Sequence, residues 1–432
     1  MKVLQINSYL DFGSTGGIVR RLLNAQLAAG IDGYVLFGRH TGIERESERT
    51  IAINTEAGVA LHKLLTFVFG KHAFYSRFRT LAAMKKIKAL RPDIVHLHNV
   101  HGHYLHIGVL FRFLTREGIP VIWTFHDCWP YTGHCPHYSV AGCNRWKHEC
   151  GHCPQKTGYP ESLIFDRSRG LLRRKRKLFT GARELHIVTV SQWLAGEVRK
   201  SFLRNADLRV IHNGINTEVF HPLPNDEETV RLLRRDLGAK FIILGVASFW
   251  DNRKGLDRFL HLASLLAEDE MIVLLGRFAG RARPWQRKKE SPVLPHNIRV
   301  ISTISDKAQI AAYYNAADVH VSFSREESFG LTIAEAMACA TPVVVMDSTA
   351  AQEVVGRDGH CGMVLSKDAP ATEAYAAIRA IREKGKRSFG ESGPARVREY
   401  FDQEKNEQAY IRLYQDLYES TGSGGLKAED IP

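Results

Sequence analysis

Residues 324–338 read SREESFGLTIAEAMA, and this stretch carries the most information in the chain. Two carboxylates, Glu327 and Glu335, stand on either side of a Ser-Phe-Gly turn. Thr332 is a good helix N-cap residue, and the glutamate three positions later completes a capping box, so the pattern predicts a helix that begins at Thr332. The free N–H groups and the positive dipole end of that helix would point at the loop that holds Glu327.

A helix N-terminus beside a glycine turn is a ready site for a phosphate or a diphosphate. Carboxylates that flank the turn can accept hydrogen bonds from sugar or ribose hydroxyls. Together these features predict a nucleotide sugar as the ligand, rather than a bare phosphate. On local grounds alone, a capping box before a helix of small residues can also mean only that a helix starts here.

The length and composition of the chain indicate two soluble domains. A chain of 432 residues is too long for one ordinary core and suits two domains of roughly 200 residues each. Its 44% hydrophobic and 24% charged content is typical of globular proteins. We expect no transmembrane helix, because no run of apolar residues is long enough, and no secretion, because the N-terminus lacks a signal-peptide pattern.

Short β-rich runs alternate with helical patterns in both halves of the chain, as at Lys2–Ile6 in the first half and Phe241–Ala247 in the second. This alternation predicts an α/β fold with two Rossmann-like, doubly wound parallel sheets that face each other across a cleft. Ligands of such sheets bind at the carboxyl ends of the strands. The predicted parts are an N-terminal domain over residues 1–212, a C-terminal domain over 213–390, closing helices over 391–418 and a flexible tail over 419–432.

The positive charge is concentrated in the first half of the chain. Residues 1–200 hold 29 Lys and Arg against 14 Asp and Glu, whereas the remainder holds 30 against 32. Such asymmetry indicates an anionic partner for the first half, either a membrane surface or a nucleic acid. Residues 60–80 mix aromatic and basic side chains and residues 167–177 are strongly basic, which favours an anionic lipid surface. The alternative is a solvated helix face with a buried apolar side.

Two further loops follow predicted strands. The segment STGGIVR contains Gly16 and Gly17, where a ligand could approach the backbone at the start of a helix. The segment SFWDNRKGLD contains Arg253 and Lys254 just before another predicted helix. Alone, the glycine pair can serve loop geometry only, and the basic pair can be an ordinary surface feature.

Residues 324–338 resemble the E-x7-E signature of the retaining glycosyltransferases of family 4, which have the GT-B fold, and nearly every motif position matches. The Gly-Gly and Arg-Lys loops are similar to the family's donor loops. The resemblance covers nearly the whole chain to about residue 418. It implies that a nucleoside diphosphate sugar is bound by Gly16, Gly17, Arg253, Lys254, Glu327, Ser328, Phe329, Gly330, Leu331 and Glu335.

The resemblance also implies a role for each group. Glu335 would bind the ribose hydroxyls, and Glu327 with the backbone amides of residues 329–331 would hold the sugar and diphosphate. Arg253 and Lys254 would stabilise the departing phosphate, with no catalytic metal expected. The family usually has an arginine about five residues before the lysine, where this chain has a phenylalanine, so we expect Arg253 to take that role.

The segment TFHDCW ends a predicted strand, and His126 and Asp127 resemble the family's His-Asp pair near the donor sugar. The expected catalytic residues are therefore Glu327, His126 and Lys254. A lone histidine after a strand is more often structural. His98 ends the neighbouring predicted strand and could line the acceptor side.

A Cys-rich loop over residues 128–153 contains Cys135, Cys143, Cys150 and Cys153 with the spacing C-x7-C-x6-C-x2-C. The C-x2-C end is typical of zinc sites, although the outer spacings are looser than in standard fingers. The four thiolates could hold a structural zinc ion. Buried free thiols or a redox pair are the alternatives. Such an insert resembles the colanic acid and exopolysaccharide branch of the family.

These features predict a retaining glycosyltransferase of bacterial cell-surface polysaccharide biosynthesis. Its donor would be a nucleoside diphosphate sugar and its acceptor a glycan or a lipid-diphosphate-linked sugar. We expect it in the cytoplasm, peripheral at the inner face of the cytoplasmic membrane, with no nucleic-acid partner. The alternatives are a GT-B nucleotide-sugar epimerase and, in a different class, a basic zinc-containing protein that binds nucleic acid.

Overall fold

The structure is a computed structural model that describes residues 1–41, 47–182, 184–224, 226–238, 240–278, 294–302, 304 and 306–422. The chain divides into two compact units, each with its own parallel sheet. Unit 1 comprises Met1–Ile211 and the chain from Asn406, and unit 2 comprises His212–Lys405. The predicted fold class, two doubly wound α/β domains, is confirmed.

The strands of unit 1 are β1 (Lys2–Asn7), β2 (Asp32–Phe37), β3 (Thr50–Ala52), β4 (Ile94–Leu97), β5 (Val121–Phe125), β6 (Leu185–Thr189) and β7 (Asp207–Val210). They are parallel and pair in the order β3-β2-β1-β4-β5-β6-β7, so the sheet grows outward in both directions from its first strand. The central strands β4 and β5 are buried along their whole length, as expected for a sheet that is covered by helices on both faces.

Most helices of unit 1 connect successive strands and bury one apolar face against the sheet. They are α1 (Gly13–Ala28), α2 (Glu56–Phe69), α3 (Arg77–Leu90), α4 (Ile107–Glu117), α5 (Ser168–Phe179) and α6 (Gln192–Arg199).

Unit 2 repeats the plan with the strand order β10-β9-β8-β11-β12-β13. Its strands are β8 (Phe241–Trp250), β9 (Glu270–Phe278), β10 (Ile298–Ile301), β11 (Val319–Ser322), β12 (Val343–Met346) and β13 (Gly362–Leu365). Its helices are α7 (Glu228–Leu237), α8 (Leu256–Ala263), α9 (Lys307–Ala316), α10 (Leu331–Ala338), α11 (Ala351–Val355), α12 (Ala371–Lys384), α13 (Lys386–Gly390) and α14 (Ser392–Tyr400).

Closing helices were predicted over residues 391–418, and two helices of the structure lie in this region. A break at Phe401 separates α14 from a long last helix, α15 (Gln403–Gly422). The helical pattern continues through residues 419–422, where the flexible tail was expected to begin, and residues 423–432 lie outside the described part of the chain. None of the helices in the described ranges combines the length and the apolar character that a membrane span requires.

Helix α15 is held to the sheet of unit 1 by a buried polar network. The Tyr414 hydroxyl lies 2.7 Å from His96 Nδ1, and His96 Nε2 lies 2.8 Å from the Thr124 hydroxyl. That hydroxyl in turn lies 3.0 Å from the hydroxyl of Tyr410. Because these side chains are fully buried, each polar atom depends on its protein partner. The network therefore joins the last helix to strands β4 and β5.

Replacement of Tyr414 by Phe should lower the free energy of unfolding by about 1–3 kcal/mol, since His96 Nδ1 would lose its buried partner. Urea unfolding followed by circular dichroism measures the change. Tyr418 on the same helix is 42% exposed, and Tyr418→Phe is the matched control, with little expected effect. Equal stability of the two variants would contradict this account of the network.

Candidate active site

The turn before α10 is fixed by Gly330 and not by the predicted capping box. Gly330 is the N-cap residue in the left-handed region, with φ of 108°, and the helix begins at Leu331. The expectation that Thr332 caps the helix was therefore wrong, because Gly330 caps it two residues earlier. Glu335 accepts a hydrogen bond of 3.2 Å from the hydroxyl of Tyr314 and remains half-buried beside the turn.

The backbone of this turn offers free donors. Among the described residues, the N–H groups of Phe329, Gly330 and Leu331 find no acceptor. The ring of Phe329 is buried and packs on the ring of Phe401, with 5.3 Å between the centroids. Only the backbone of Phe329 can therefore meet a ligand. Three free N–H groups at a helix N-terminus are an arrangement that favours anions.

Glu327 is ion-paired and hydrogen-bonded to Lys254 on the loop after β8. Both side chains are largely buried, with 15% of Glu327 and 20% of Lys254 exposed. Burial alone would raise the pKa of Glu327, but Lys254 and then Arg253 hold that pKa below its ordinary value. The glutamate is therefore a carboxylate, and the sequence-predicted residues Arg253, Lys254 and Glu327 do come together.

The backbone of Glu327 is fixed by a residue that the sequence did not single out. Its N–H donates to the hydroxyl of Thr349 over 2.7 Å, and that hydroxyl lies 2.5 Å from the Glu327 carbonyl oxygen. Thr349 lies in a left-handed turn, with φ of 58°. No local sequence signal marks Thr349, because its partner is far away along the chain.

The loop that carries Lys254 is shaped by its neighbours. Strand β8 runs to Trp250, beyond the predicted end, and a short 3-10 turn over Asn252–Lys254 follows. The Asp251 carboxylate caps that turn by accepting from the Lys254 N–H at 2.9 Å. Gly255 has φ of 74°, and a Cβ there would lie 2.4 Å from the Cβ of Phe323. The glycine thus lets the loop lie against the end of β11, next to Glu327.

In unit 1, the predicted glycine pair lies inside a helix and not in the loop before it. Helix α1 begins at Gly13, earlier than expected. Gly16 is buried, and a Cβ there would lie 3.3 Å from the backbone nitrogen of Asp11, while Gly17 faces open space. Gly17, the fifth residue of α1, therefore leaves room on the helix surface, whereas a side chain at Gly16 would press on the backbone of Asp11.

His126 and His98 meet at the carboxyl ends of β5 and β4. His126 Nε2 lies 3.1 Å from His98 Nδ1, and the two rings stack. Burial lowers the pKa of His126 to about 4, although Asp127 partly opposes this. His126 is therefore neutral at pH 7 and can donate or accept a hydrogen bond without carrying charge.

Asp127 does not pair with its neighbour His126 but with His101. The distance from His101 Nε2 to the Asp127 carboxylate is 2.8 Å, and His101 Nδ1 lies 3.1 Å from the Tyr159 hydroxyl. Burial alone would raise the pKa of Asp127, but His101 holds it at about 2. The sequence did not predict this pair, since nothing local distinguishes His101 from the other histidines of its loop.

The four cysteines of the predicted zinc site line one small cavity of about 10 Å³. None of the four forms a disulfide bond, and Cys135 is hydrogen-bonded to Cys153, which raises the pKa of Cys135 and lowers that of Cys153. Burial raises the pKa of Cys150 to about 11. As these side chains are placed, no three His, Cys, Asp or Glu residues of the described ranges are arranged to hold a metal ion. The structural zinc stays a prediction.

Comparison with known families accounts for both units. Residues 16–219 match Glycosyltransferase Family 4, and residues 240–383 match Glycosyl transferases group 1. The chain belongs to the family 4 glycosyltransferases. Enzymatic transfer of a sugar is therefore its activity.

The family assignment agrees with individual relatives. The Escherichia coli glycosyl transferase WcaC, named for colanic acid biosynthesis, is 26% identical over 85% of this chain and 88% of its own. Sucrose-phosphate synthase from Thermosynechococcus elongatus is 19% identical, with a TM-score of 0.70 over 97% of this chain and 99% of its own. Anabaena HepE in complex with UDP-glucose is 15% identical, with a TM-score of 0.65 over 96% of this chain and 100% of its own. The two solved structures share the GT-B fold.

Buried histidines should make the folding stability of unit 1 of this glycosyltransferase depend on pH. Burial is the main cause of a lowered pKa at each of them, so all are neutral in the folded protein at pH 7. The pKa falls to about 4 at His126 and His134, to about 3 at His62 and His96, to about 2 at His103, and well below its ordinary value at His72 and His98.

In the unfolded chain these histidines bind protons near pH 6.5, whereas in folded unit 1 they stay neutral. The stability of unit 1 should therefore fall as the pH drops below about 6.5. Each such histidine contributes up to about 1.4 kcal/mol per pH unit to that slope. Urea unfolding followed by tryptophan fluorescence at about pH 7.5 and about pH 5.5 measures the loss. His62→Asn should reduce the slope, and His261→Asn, at an exposed position of unit 2, should not. Equal stability at both pH values would refute the prediction.

Proposed function

We propose that this protein is a retaining glycosyltransferase that moves a sugar from a nucleoside diphosphate sugar to a glycan or lipid-diphosphate-linked acceptor. The observation that carries the proposal is the cluster of Lys254, Arg253 and Glu327 beside the free N–H groups of residues 329–331. Cations and aligned N–H groups are what a departing diphosphate needs when no divalent metal neutralises it. The carboxylates Glu327 and Glu335 supply acceptors for donor hydroxyls.

Each group has a part in this proposal. The amides of residues 329–331 bind the diphosphate, and Lys254 and Arg253 stabilise the negative charge that grows as the bond to the anomeric carbon breaks. Glu335, oriented by Tyr314, binds the ribose hydroxyls. Ser328 and Glu327 hold the sugar. Such fixed groups need no reorganisation during the reaction, which is how they lower its barrier.

The ion pair bears on the route of the reaction. A carboxylate nucleophile would give retention by two inversions. Glu327 is engaged by Lys254, however, which reduces its power to attack. We therefore favour a front-face route, in which the acceptor oxygen joins the anomeric carbon on the side from which the phosphate leaves. The acceptor's proton then passes to the leaving phosphate oxygen.

The neutral His126 of unit 1 suits a contact with uncharged hydroxyls. Its ring is half-buried, and its Nε2 is engaged by His98, which fixes the orientation of the ring. A neutral imidazole can hydrogen-bond a sugar hydroxyl without a charge that would compete for the diphosphate. Gly17 leaves space on the surface of α1, near its start, for a ligand to approach.

Relatives guide the choice of substrate class. HepE, which shares the fold, is solved with UDP-glucose, so a nucleoside diphosphate sugar is the proposed donor. WcaC is named for colanic acid biosynthesis, and we propose a related role in a bacterial cell-surface polysaccharide. The basic surplus of residues 1–200 suits an acceptor that carries a diphosphate on a lipid, met at the inner face of the cytoplasmic membrane.

The direct test is to incubate the protein with a panel of nucleotide sugars, with and without bacterial lipid extract, and to measure released nucleotide and product. Release that requires the extract, with an α-linked product from an α-linked donor, supports the proposal. Free sugar isomers formed without any acceptor would favour an epimerase of the same fold. No turnover of any donor under either condition would count against the proposal.

Lys254→Ala and Glu327→Ala should each reduce the rate of transfer by about 100-fold or more, the scale of losing a charge-stabilising group. Lys367→Ala and Glu268→Ala, at exposed positions of unit 2, are the matched controls and should keep the rate of the parent. Steady-state kinetics with the identified donor measures both sets. Near-parental rates in the first two variants would remove these residues from the mechanism.

A further inference from the structure

An open cavity lies outside the proposed sugar site, between α3 and α4 of unit 1. It has a volume of about 850 Å³ and an apolar floor. Met84, Val109 and Phe113 form the buried part of the floor, while Phe78 and Leu81 are 85% and 41% exposed at its edge. An exposed phenylalanine beside an open apolar groove is unusual on a soluble surface, because it leaves apolar area in contact with water.

The rim of this groove is cationic. Its basic side chains are all exposed, and α3 contains no acidic residue at all. Glu117 at the end of α4 pairs with Lys88 and Arg116, at 3.5 and 2.6 Å. Within the described residues, the other rim cations have no carboxylate partner. They are Arg77, Lys85 and Arg112.

We propose that this α3–α4 groove docks on an anionic phospholipid membrane, with Phe78, Leu81 and an acyl chain meeting at its floor and lipid phosphates at its rim. Such a contact deepens the proposed function, since a lipid-linked acceptor lies in a membrane. Only the reason for membrane binding rests on that function. Arg77 and Phe78 belong to the 60–80 segment for which the sequence favoured an anionic lipid surface, and the groove adds residues 81–88 and 109–116 to that surface.

The chemistry of the groove separates this occupant from others. A second copy of the chain would bring an equal set of cations against the rim, which repel one another. A nucleic-acid backbone would satisfy the cations but has no aliphatic chain to cover the apolar floor. An anionic lipid has both parts, and each Lys or Arg near such a surface adds to binding while Phe and Leu enter the interface.

Vesicle co-sedimentation with the full chain tests the proposal without any sugar donor, so its outcome is separate from that of the activity assay. The parent should bind vesicles containing one-third phosphatidylglycerol at least ten-fold more tightly than pure phosphatidylcholine vesicles, and added salt should weaken the binding. Phe78→Ser/Leu81→Ser and Lys85→Glu/Arg112→Glu should each weaken binding to the anionic vesicles by about ten-fold or more. Arg231→Glu/Leu232→Ser, which makes the same kinds of change at exposed positions of α7, is the matched control.

A second measurement detects insertion of the groove into the membrane directly, so it does not depend on variants that lose binding because they misfold. Phe78→Trp, in vesicles whose acyl chains carry bromine, should lose more tryptophan fluorescence than the parent does, because the indole enters the acyl region. Equal binding of groove and control variants, no preference for anionic vesicles, no additional quenching at position 78, or tighter binding to nucleic acid than to vesicles would each overturn the proposal.

Discussion

The ion pair between Lys254 and Glu327 is the interaction on which the candidate donor site depends. It joins the loop after β8 to the turn before α10, two segments that are far apart in sequence. Glu327 is held from its other side by Thr349, so the carboxylate is fixed through both its backbone and its side chain. Two opposite charges that are mostly shielded from water orient each other strongly, which keeps the lysine beside the free N–H groups of the turn. The site is therefore organised before any ligand arrives.

Unit 1 contrasts with this charged arrangement. Its carboxyl edge is built from neutral imidazoles, with Asp127 and His101 as a hydrogen-bonded pair beside them. Burial keeps His98 and His126 uncharged, so this edge can meet hydroxyl groups without attracting phosphate. A set of exposed cations lies on α3 and α4. One part of the unit thus offers neutral hydrogen-bonding groups, and another part offers positive charge beside apolar side chains.

Much of this organisation could be predicted from sequence. The alternation of strands and helices predicted the two parallel sheets. The E-x7-E stretch and the Arg-Lys loop, which resemble those of the family, predicted the family and the residues that meet around Glu327. Features set by distant partners could not be predicted. Gly330 replaces Thr332 as the N-cap because of the path of its own loop, and Thr349 and His101 act through residues that no local pattern links to them. The α3–α4 groove likewise exists only once two separate helices pack side by side.

The central claim is that a nucleoside diphosphate binds beside the Lys254–Glu327 pair of unit 2. The most direct measurement is a crystal structure of the full chain with a nucleoside diphosphate bound. Phosphate oxygens should lie within hydrogen-bonding distance of the N–H groups of residues 329–331 and of Lys254, and the ribose hydroxyls should bind Glu335. A nucleotide bound elsewhere, with Glu327 and Glu335 both facing bulk water, would contradict it.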